Sequence, residues 1–228
     1  MMPIMKTSVA ADVRGKVLRS RNRFWRPEDF AGSPEAVAKA LSRLARSGEL
    51  RRVRRGLYWR GVPTRLGMAP PPAGRLVDEV VDEPGVGPAG ISAALALGLS
   101  TQVPRLETIA VPGRAPRAAR GIRFVSRSAS TRRRDVRLHP SEVALLETLR
   151  DWEGLVESPL PEALGRIEHL ATAGSIRVDR IVRASPTEPP RVRERLRRLL
   201  IALNRPDDAD RVPPARSELA RQSLGLVT

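Results

Sequence analysis

The side chains with the most evident chemistry in this 228-residue chain are cations and hydroxyls crowded between Ser33 and Arg60. Ammonium, guanidinium and hydroxyl groups donate hydrogen bonds to anions, and guanidinium suits phosphate especially well. A carboxylate among them can accept a hydrogen bond from an amine on a base edge. The candidate contact residues are Ser33, Glu35, Lys39, Ser42, Arg43, Arg46, Arg51, Arg52, Arg54 and Arg55. Their chemistry is recognition of a polyanion rather than bond cleavage.

Other kinds of chemistry have few residues to support them. The chain has no cysteine, which excludes disulfides, thiolate metal sites and a cysteine nucleophile. It has two histidines, His139 and His169, which leave little room for a histidine metal site. His139 precedes a proline, and no matching nucleophile or carboxylate partner is evident for it, so it predicts a strand-to-helix turn better than a general base. We therefore expect no enzyme activity, no metal and no cofactor.

The net charge of +16 is unevenly placed along the chain. Residues 1–65 contain 16 Lys or Arg and five Asp or Glu, so they hold most of the excess. A localised basic field attracts nucleic acid or an anionic membrane surface. The N-terminus has no apolar core of signal-peptide length, and the longest apolar run, GISAALALGL, is about half of what a membrane span needs. These patterns predict a cytoplasmic protein with no membrane partner.

Four predicted elements would position the basic residues. Apolar spacing predicts a helix over Val9–Arg19, and Pro27 suits the first turn of a short helix with Phe30 on its buried side. A third helix begins at Ser33 as N-cap and Pro34, and Gly48 ends it. Two short strands then turn at Arg55-Gly56. This order predicts a winged helix-turn-helix over residues 1–62.

The apolar stripe of the third helix fixes which side chains face solvent. Its predicted core residues are Val37, Ala40, Leu41 and Leu44. The charged and hydroxyl residues of the helix would then lie on the opposite face, free to enter a major groove, while the arginine hairpin reaches the flanking backbone or the minor groove. If about five of these cations neutralise phosphates, log K should fall with log salt at a slope of about −4 to −5.

The remaining chain predicts a second domain. Residues 63–74 are rich in Pro and Gly and indicate a linker or extended arm. Residues 75–203 predict a mixed α/β domain with a small sheet, whose strands are ETIAV and GIRFV, so that the fold class is α+β overall. Residues 204–228 have little apolar periodicity and predict a mobile tail.

Two motifs of the second domain have alternative interpretations. Gly85, Gly87 and Gly90 spell G-x-G-x-x-G with Glu107 downstream, as in a dinucleotide site. The preceding VDEVVDEP is acidic and ends in proline, however, so a turn followed by a closely packed helix is the better prediction. The stretch SRSASTRRRDVR, residues 126–137, could meet phosphate or an acidic partner, or could be an exposed loop.

The stretch AVAKALSRLARSGELRRVRRGLYWR resembles the N-terminal winged-helix domain of the AbiEi antitoxin family. The segment GPAGISAALALGLSTQVPRLETIAVPGRAPR is similar to the next part of that family, and LHPSEVALLETLRDWE and EPPRVRERLRRLL resemble its later helices. The resemblance covers residues 9–203, and the combination with GLSTQVP is its most specific part.

The resemblance implies a bacterial antitoxin of a type IV toxin-antitoxin pair. Such a protein would bind inverted repeats in its own promoter as a repressor and counteract a toxin resembling a nucleotidyltransferase. A homodimer on the operator would match the two-fold symmetry of inverted repeats. Two alternatives stay open: a stand-alone winged-helix regulator without a toxin, and an enzyme that modifies a partner protein.

Overall fold

The computed structural model describes residues 8–65, 67–81, 83–119 and 121–215. The chain is an α+β protein in which helices accompany small sheets, as predicted. It divides into two compact units, Met1–Val80 and Val81–Thr228, each with its own apolar cluster. Within the described ranges, no helix is long and apolar enough to cross a bilayer.

The first unit combines helices with a three-stranded antiparallel sheet. Its elements are α1 (Val9–Arg19), β1 (Arg23–Trp25), a 3-10 turn (Pro27–Asp29), α2 (Pro34–Arg46), β2 (Arg51–Arg54), β3 (Leu57–Arg60), β4 (Pro63–Thr64), β5 (Gly67–Met68) and α3 (Ala73–Val80). The predicted helices and the basic hairpin are confirmed. The strand β1 was not predicted; it pairs with β3, so the sheet order is β1-β3-β2.

The core of the first unit forms between α1, α2 and the sheet. Val13 and Val17 of α1 have no exposed surface, and Trp25 stacks on Phe30 with ring centroids 4.9 Å apart. The four apolar residues predicted for α2, Val37, Ala40, Leu41 and Leu44, are all buried. Burial of this face directs the charged side chains of α2 to solvent.

Residues 63–74 are not a linker in the structure. β4 and β5 pair as a short hairpin, and Trp59 anchors it by donating from Nε1 to the carbonyl of Ala69 at 3.1 Å. The next helix, α3, belongs to the first unit, although it was predicted to open the second domain. The composition of residues 63–74 led to the wrong prediction of a linker because glycine and proline occur in tight turns as well as in flexible arms.

The second unit packs helices around a small mixed sheet. Its elements are β6 (Gly87–Pro88), α4 (Ile91–Leu97), β7 (Glu107–Val111), β8 (Ile122–Ser126), α5 (Arg132–Asp135), α6 (Pro140–Thr148), α7 (Trp152–Leu155), α8 (Leu160–Thr172), α9 (Val178–Ala184), a 3-10 turn (Ser185–Thr187), α10 (Pro190–Ala202) and α11 (Pro206–Asp210). β7 is antiparallel to β6 and parallel to β8. The strands predicted at ETIAV and GIRFV are both present, the second shifted by one residue.

The helix α6 runs through the core of the second unit and is buried from Glu142 to Thr148. A buried carboxylate needs charged or hydrogen-bonding partners. Glu147 receives both Nε and Nη2 of Arg127, at 2.9 and 2.7 Å to its two oxygens, and Nη1 of Arg133 at 2.7 Å. Burial raises the pKa of Glu147, but the hydrogen bonds from Arg127 and the charge of Arg133 outweigh it and hold the pKa below its ordinary value.

Arg133 connects this helix to the 3-10 turn that precedes α10. Its Nε and Nη2 donate to the two carboxylate oxygens of Glu188 at 2.6 and 2.7 Å, and the side chains of both residues have no exposed surface. The stretch 126–137 is therefore not simply an exposed loop, and Arg133 is not available to a phosphate. The sequence shows a run of cations but not that two distant glutamates, at 147 and 188, meet the middle one.

Residues 204–215 are also ordered against the second unit, contrary to the prediction of a mobile tail. Ala209 and Val212 are 1% and 0% exposed. Arg197 donates from Nη1 to the carbonyls of both residues, at 3.2 and 3.0 Å. A five-residue helix is too short for a periodic apolar pattern to reveal it. The rest of the predicted tail, 216–228, lies outside the described residues.

The glycine motif is a turn followed by a packed helix, as predicted. Ala93 and Ala94 of α4 have no exposed surface, and a Cβ on Gly87 would lie 2.7 Å from the carbonyl oxygen of Pro140. β6 is antiparallel to β7, whereas a dinucleotide site lies between parallel strands. Glu107 begins β7. Gly87 therefore serves close packing against α6, whereas a Cβ at Gly90 would meet nothing within 4 Å, so that glycine provides the turn at a φ of 56° and not the predicted close approach.

Candidate nucleic-acid interface

The candidate interface begins with the start of α2. Ser33 is the N-cap residue and Pro34 the first helical residue, as predicted, but the Ser33 side chain makes no capping hydrogen bond. Its carbonyl oxygen accepts from the Val37 amide at 3.0 Å. Proline has no amide hydrogen, so Glu35 and Ala36 are the first-turn residues whose amides point outward at the positive end of the helix dipole.

One face of α2 carries a row of cations. Lys39, Arg43 and Arg46 are exposed and follow one another at spacings of four and three residues, which aligns them along the helix. Glu35 is exposed at the start of the same face, and Ser42 is half-buried beside it. Within the described part of the chain, none of the three cations forms an ion pair. The row is therefore free to meet an external anion.

The hairpin β2–β3 carries a second group of cations at its tip. Gly56 turns the chain at a φ of 77°, in the left-handed region. A register shift between Arg52 and Arg54 interrupts the pairing with β3, so the strand is irregular next to the turn. Arg52 and Arg55 are exposed and Arg54 is half-buried. These three arginines have no carboxylate partner among the described residues.

Arg51 differs from the other predicted contact residues. Its Nη1 donates to the carbonyl of Met68 at 3.0 Å, which ties β2 to the hairpin β4–β5. Arg51 also pairs with Trp59 in the sheet register, away from the turn. The structure thus brings Arg52, Arg54 and Arg55 together at the tip and uses Arg51 to hold the base of the hairpin.

The acidic residue nearest in sequence to the hairpin is already neutralised. Glu49 accepts from Arg14 at 2.7 Å and from the Ser47 hydroxyl at 3.2 Å. The hydrogen bond from Arg14 holds the pKa of Glu49 below its ordinary value. Glu49 is therefore occupied by a cation of α1 and leaves the arginines of the tip unpaired.

Arg65 is one of the exposed cations of the first unit that the sequence did not single out. Arg65 lies at the turn between β4 and β5, where the Thr64 hydroxyl donates to the Gly67 carbonyl at 2.7 Å. The spacing of Thr64 and Gly67 could have indicated a tight turn here, but the proline-rich composition of the segment favoured a linker.

Together, fold and surface define an α+β protein of two units, the first of which exposes two groups of unpaired cations. Residues 12–135 match the model of a family described as of unknown function, DUF6088. That match spans more than half of the chain, and the chain belongs to this family.

Comparison with individual proteins adds a structural likeness. No curated protein matches the chain. The crystal structure of the RV2827C protein from Mycobacterium tuberculosis is similar over 91% of this chain and 81% of its own, with 19% sequence identity and a TM-score of 0.49.

Proposed function

We propose that this protein binds double-stranded DNA through its first unit and represses transcription. The proposal rests on two exposed groups of cations that have no carboxylate partner among the described residues. One is the row on α2, and the other is the arginine tip of the hairpin that follows it in the chain. Both belong to one compact unit. By contrast, the exposed cation Lys16 of α1 lies beside Asp12 at 3.3 Å in an ion pair.

The two cation groups suit different parts of a DNA duplex. An α-helix fits the major groove, where Lys39, Arg43 and Arg46 can donate to phosphates or to guanine edges and Glu35 can accept from cytosine. A hairpin next to such a helix can reach the flanking backbone or the minor groove, where arginine binds favourably. We interpret α1, the 3-10 turn, α2 and the hairpin as a winged helix-turn-helix.

The biological setting of the proposal rests on the resemblance to AbiEi antitoxins. On that basis the protein is a bacterial, cytoplasmic autorepressor that binds inverted repeats in its own promoter as a homodimer and counteracts a nucleotidyltransferase-like toxin. Co-expression tests this setting. If the adjacent reading frame arrests growth and this chain relieves the arrest, the antitoxin role holds; if no neighbouring frame is toxic, the stand-alone regulator is the better description.

Charge reversal at the hairpin tip tests DNA binding directly. Arg52→Glu with Arg55→Glu changes two exposed side chains, so the fold should persist while phosphate contacts are lost. Each lost contact should reduce the slope of log K against log salt by about 0.9, so the double variant should lower it by about 2. Fluorescence anisotropy with promoter DNA measures both the affinity and the slope.

The matched control is Arg114→Glu with Arg117→Glu, which makes the same change in net charge at two exposed positions of the second unit. It should retain most of the affinity and nearly the full slope. If both double variants weaken binding equally, the protein attracts DNA by its overall charge, and the hairpin is not a contact site.

A further inference from the structure

The loop between α4 and β7 in the second unit exposes apolar side chains. Val103 is 83% exposed and Leu106 is 50% exposed, and Leu95 on the last turns of α4 is 37% exposed. Single exposed apolar residues are common, but neighbouring ones that share a surface usually mark an interaction site. Leu95 and Val103 line one hollow, Leu106 lines the next, and Pro104 lines both.

This loop is held in place by one carboxylate. Glu157 accepts hydrogen bonds from the Ser100 hydroxyl at 2.8 Å, the Thr101 amide at 2.7 Å and the Gln102 side-chain amide at 2.8 Å. The Glu157 amide in turn donates to the Leu99 carbonyl at 3.0 Å. A loop fixed in this way loses little conformational entropy when a partner covers it.

Charge flanks the apolar residues on one side. The larger hollow, about 390 Å³, is lined by Arg105 and Arg123 as well as Leu106. Arg123 donates to the Thr108 hydroxyl at a long 3.5 Å, and neither arginine has a carboxylate partner in the part of the chain that the structure describes. The smaller hollow, about 250 Å³, carries Glu107 instead.

A buried hydroxyl lies between the two hollows. Ser92 is 7% exposed and lines both of them. Its Oγ accepts from the Thr108 amide at 3.0 Å, which leaves its hydrogen available to an acceptor. Guanidinium and hydroxyl donors thus lie beside the exposed apolar groups.

We propose that this surface, formed by Leu95, Val103, Pro104, Arg105, Leu106 and Arg123 and called here the Val103 surface, docks an acidic, apolar-anchored segment of another protein. An aliphatic or aromatic side chain of the partner covers Val103 and Leu106, and its carboxylate meets Arg105 and Arg123. Apolar anchors with complementary charge at the rim are the usual anatomy of such interfaces.

Charge selects the acidic partner over a second copy of this chain. Each copy presents Arg105 and Arg123 at this surface, so pairing two Val103 surfaces would bring like charges together. The proposal does not depend on DNA binding, because it involves residues of the second unit only.

A peptide selection tests the proposal. The full chain is panned against a randomised 12-residue peptide library, and enriched peptides are measured against variants by fluorescence anisotropy. We expect enrichment of Leu, Ile or Phe next to Asp or Glu. Affinity should fall at least tenfold with Val103→Ser and Leu106→Ser together, and similarly with Arg105→Glu and Arg123→Glu together.

Matched variants distinguish peptide binding at this surface from non-specific binding to exposed apolar or basic residues. Ile201→Ser removes another apolar side chain of the same unit, 58% exposed, and should leave peptide affinity unchanged. Arg52→Glu with Arg55→Glu should also leave it unchanged, so failure of DNA binding and failure of this proposal are distinguishable. Glu157→Gln should weaken peptide binding several-fold because it loosens the loop without touching the apolar side chains.

Three outcomes would overturn the proposal. One is that no peptide is enriched, or that the enriched peptides are basic. A second is that they bind the Val103→Ser, Leu106→Ser variant as well as the natural chain. The third is a dimer in analytical ultracentrifugation that this double variant dissociates, which would make the surface an interface between copies.

Discussion

The arginines of this protein lie in two different environments, which are distinguished by what surrounds each guanidinium. Arg52 and Arg55 face solvent without a carboxylate, whereas Arg133 lies between Glu147 and Glu188 with no exposed surface. A buried guanidinium stays charged, so its partners must be complete. Position in the fold, rather than residue type, decides which arginines can meet a ligand.

Removal of one partner from the buried network should be strongly destabilising. Glu188→Gln leaves the charge of Arg133 buried with one carboxylate, and such a loss typically costs about 3–5 kcal/mol. Urea unfolding followed by circular dichroism measures it. The control is Asp179→Asn, whose partner Arg183 is 2.8 Å away in an exposed pair. That change should cost less than about 1 kcal/mol; equal losses would mean that the buried network contributes nothing specific.

The Glu157 carboxylate gives a second prediction at this scale. The hydrogen bond from the Thr101 amide, with those from Gln102 and Ser100, lowers the pKa of Glu157 to about 2. Because the folded pKa lies below that of the unfolded chain, this stabilisation is present above the unfolded value and disappears as pH falls through about 2. NMR of the Glu157 carboxyl carbon should therefore show no titration between pH 6 and about pH 3. A midpoint near 4.3, the ordinary value for glutamate, would contradict the hydrogen-bonded loop.

At the scale of elements, two glycines differ in the space that surrounds them: one is closely packed against a neighbouring helix, and the other faces open space. A Cβ at Gly87 of β6 would lie 2.7 Å from the Cβ of Val143 in α6, whereas a Cβ at Gly165 in α8 would meet nothing within 4 Å. Gly87→Ala should destabilise by about 1–3 kcal/mol through overpacking. Gly165→Ala should stabilise by about 0.5–1 kcal/mol because alanine favours the helix.

Thermal unfolding of the two alanine variants measures the contrast, since they make the same chemical change in one unit. Opposite shifts in Tm would confirm that β6 and α6 are in close contact. A stabilising effect at both positions would mean that β6 can move away from α6 at little cost.

Long periodic elements of the first unit could be predicted from the sequence, whereas its shortest strands could not. The helices α1 and α2 have apolar residues at helical spacing, and their bounds agree with the prediction. The strand β1 has three residues and the strands β4 and β5 two each, too few to establish a period. The strand β1 is stabilised by β3, a partner distant in sequence, and β4 and β5 pair with each other.

The same distinction applies to the candidate interface. The exposed row on α2 followed from its apolar stripe, because burying one face of a helix exposes the opposite one. Arg51 could not be separated from Arg52 by sequence alone, since its partner is the carbonyl of Met68, seventeen residues away on another hairpin. Arg65 was not predicted as an exposed cation of a hairpin because the composition of that hairpin resembles a linker.

For the whole molecule, the distribution of charge matters more than its total. The first unit has 17 Lys or Arg and seven Asp or Glu in 80 residues, and the second has 24 and 18 in 148 residues. The first unit therefore carries the larger positive excess in about half the length. Electrostatic attraction of DNA should be concentrated there.

The protein's own upstream promoter gives the prediction at this scale. The full chain should bind that DNA at least about a thousandfold more tightly than unrelated DNA of equal length at physiological salt. Both affinities should fall as salt increases, because phosphate contacts contribute to each. Anisotropy across a salt series tests this. Equal affinity for the two fragments would exclude a specific operator and leave the second unit as the source of function.

The buried contacts of Arg133 also bear on how this family can diverge. Arg133 meets Glu188 through two parallel hydrogen bonds, a geometry that lysine cannot reproduce, and it meets Glu147 through a third. A change at any one of these positions leaves a buried charge without its partner. We expect the three residues to be inherited as a set, either retained together in related sequences or replaced together by apolar side chains of similar volume.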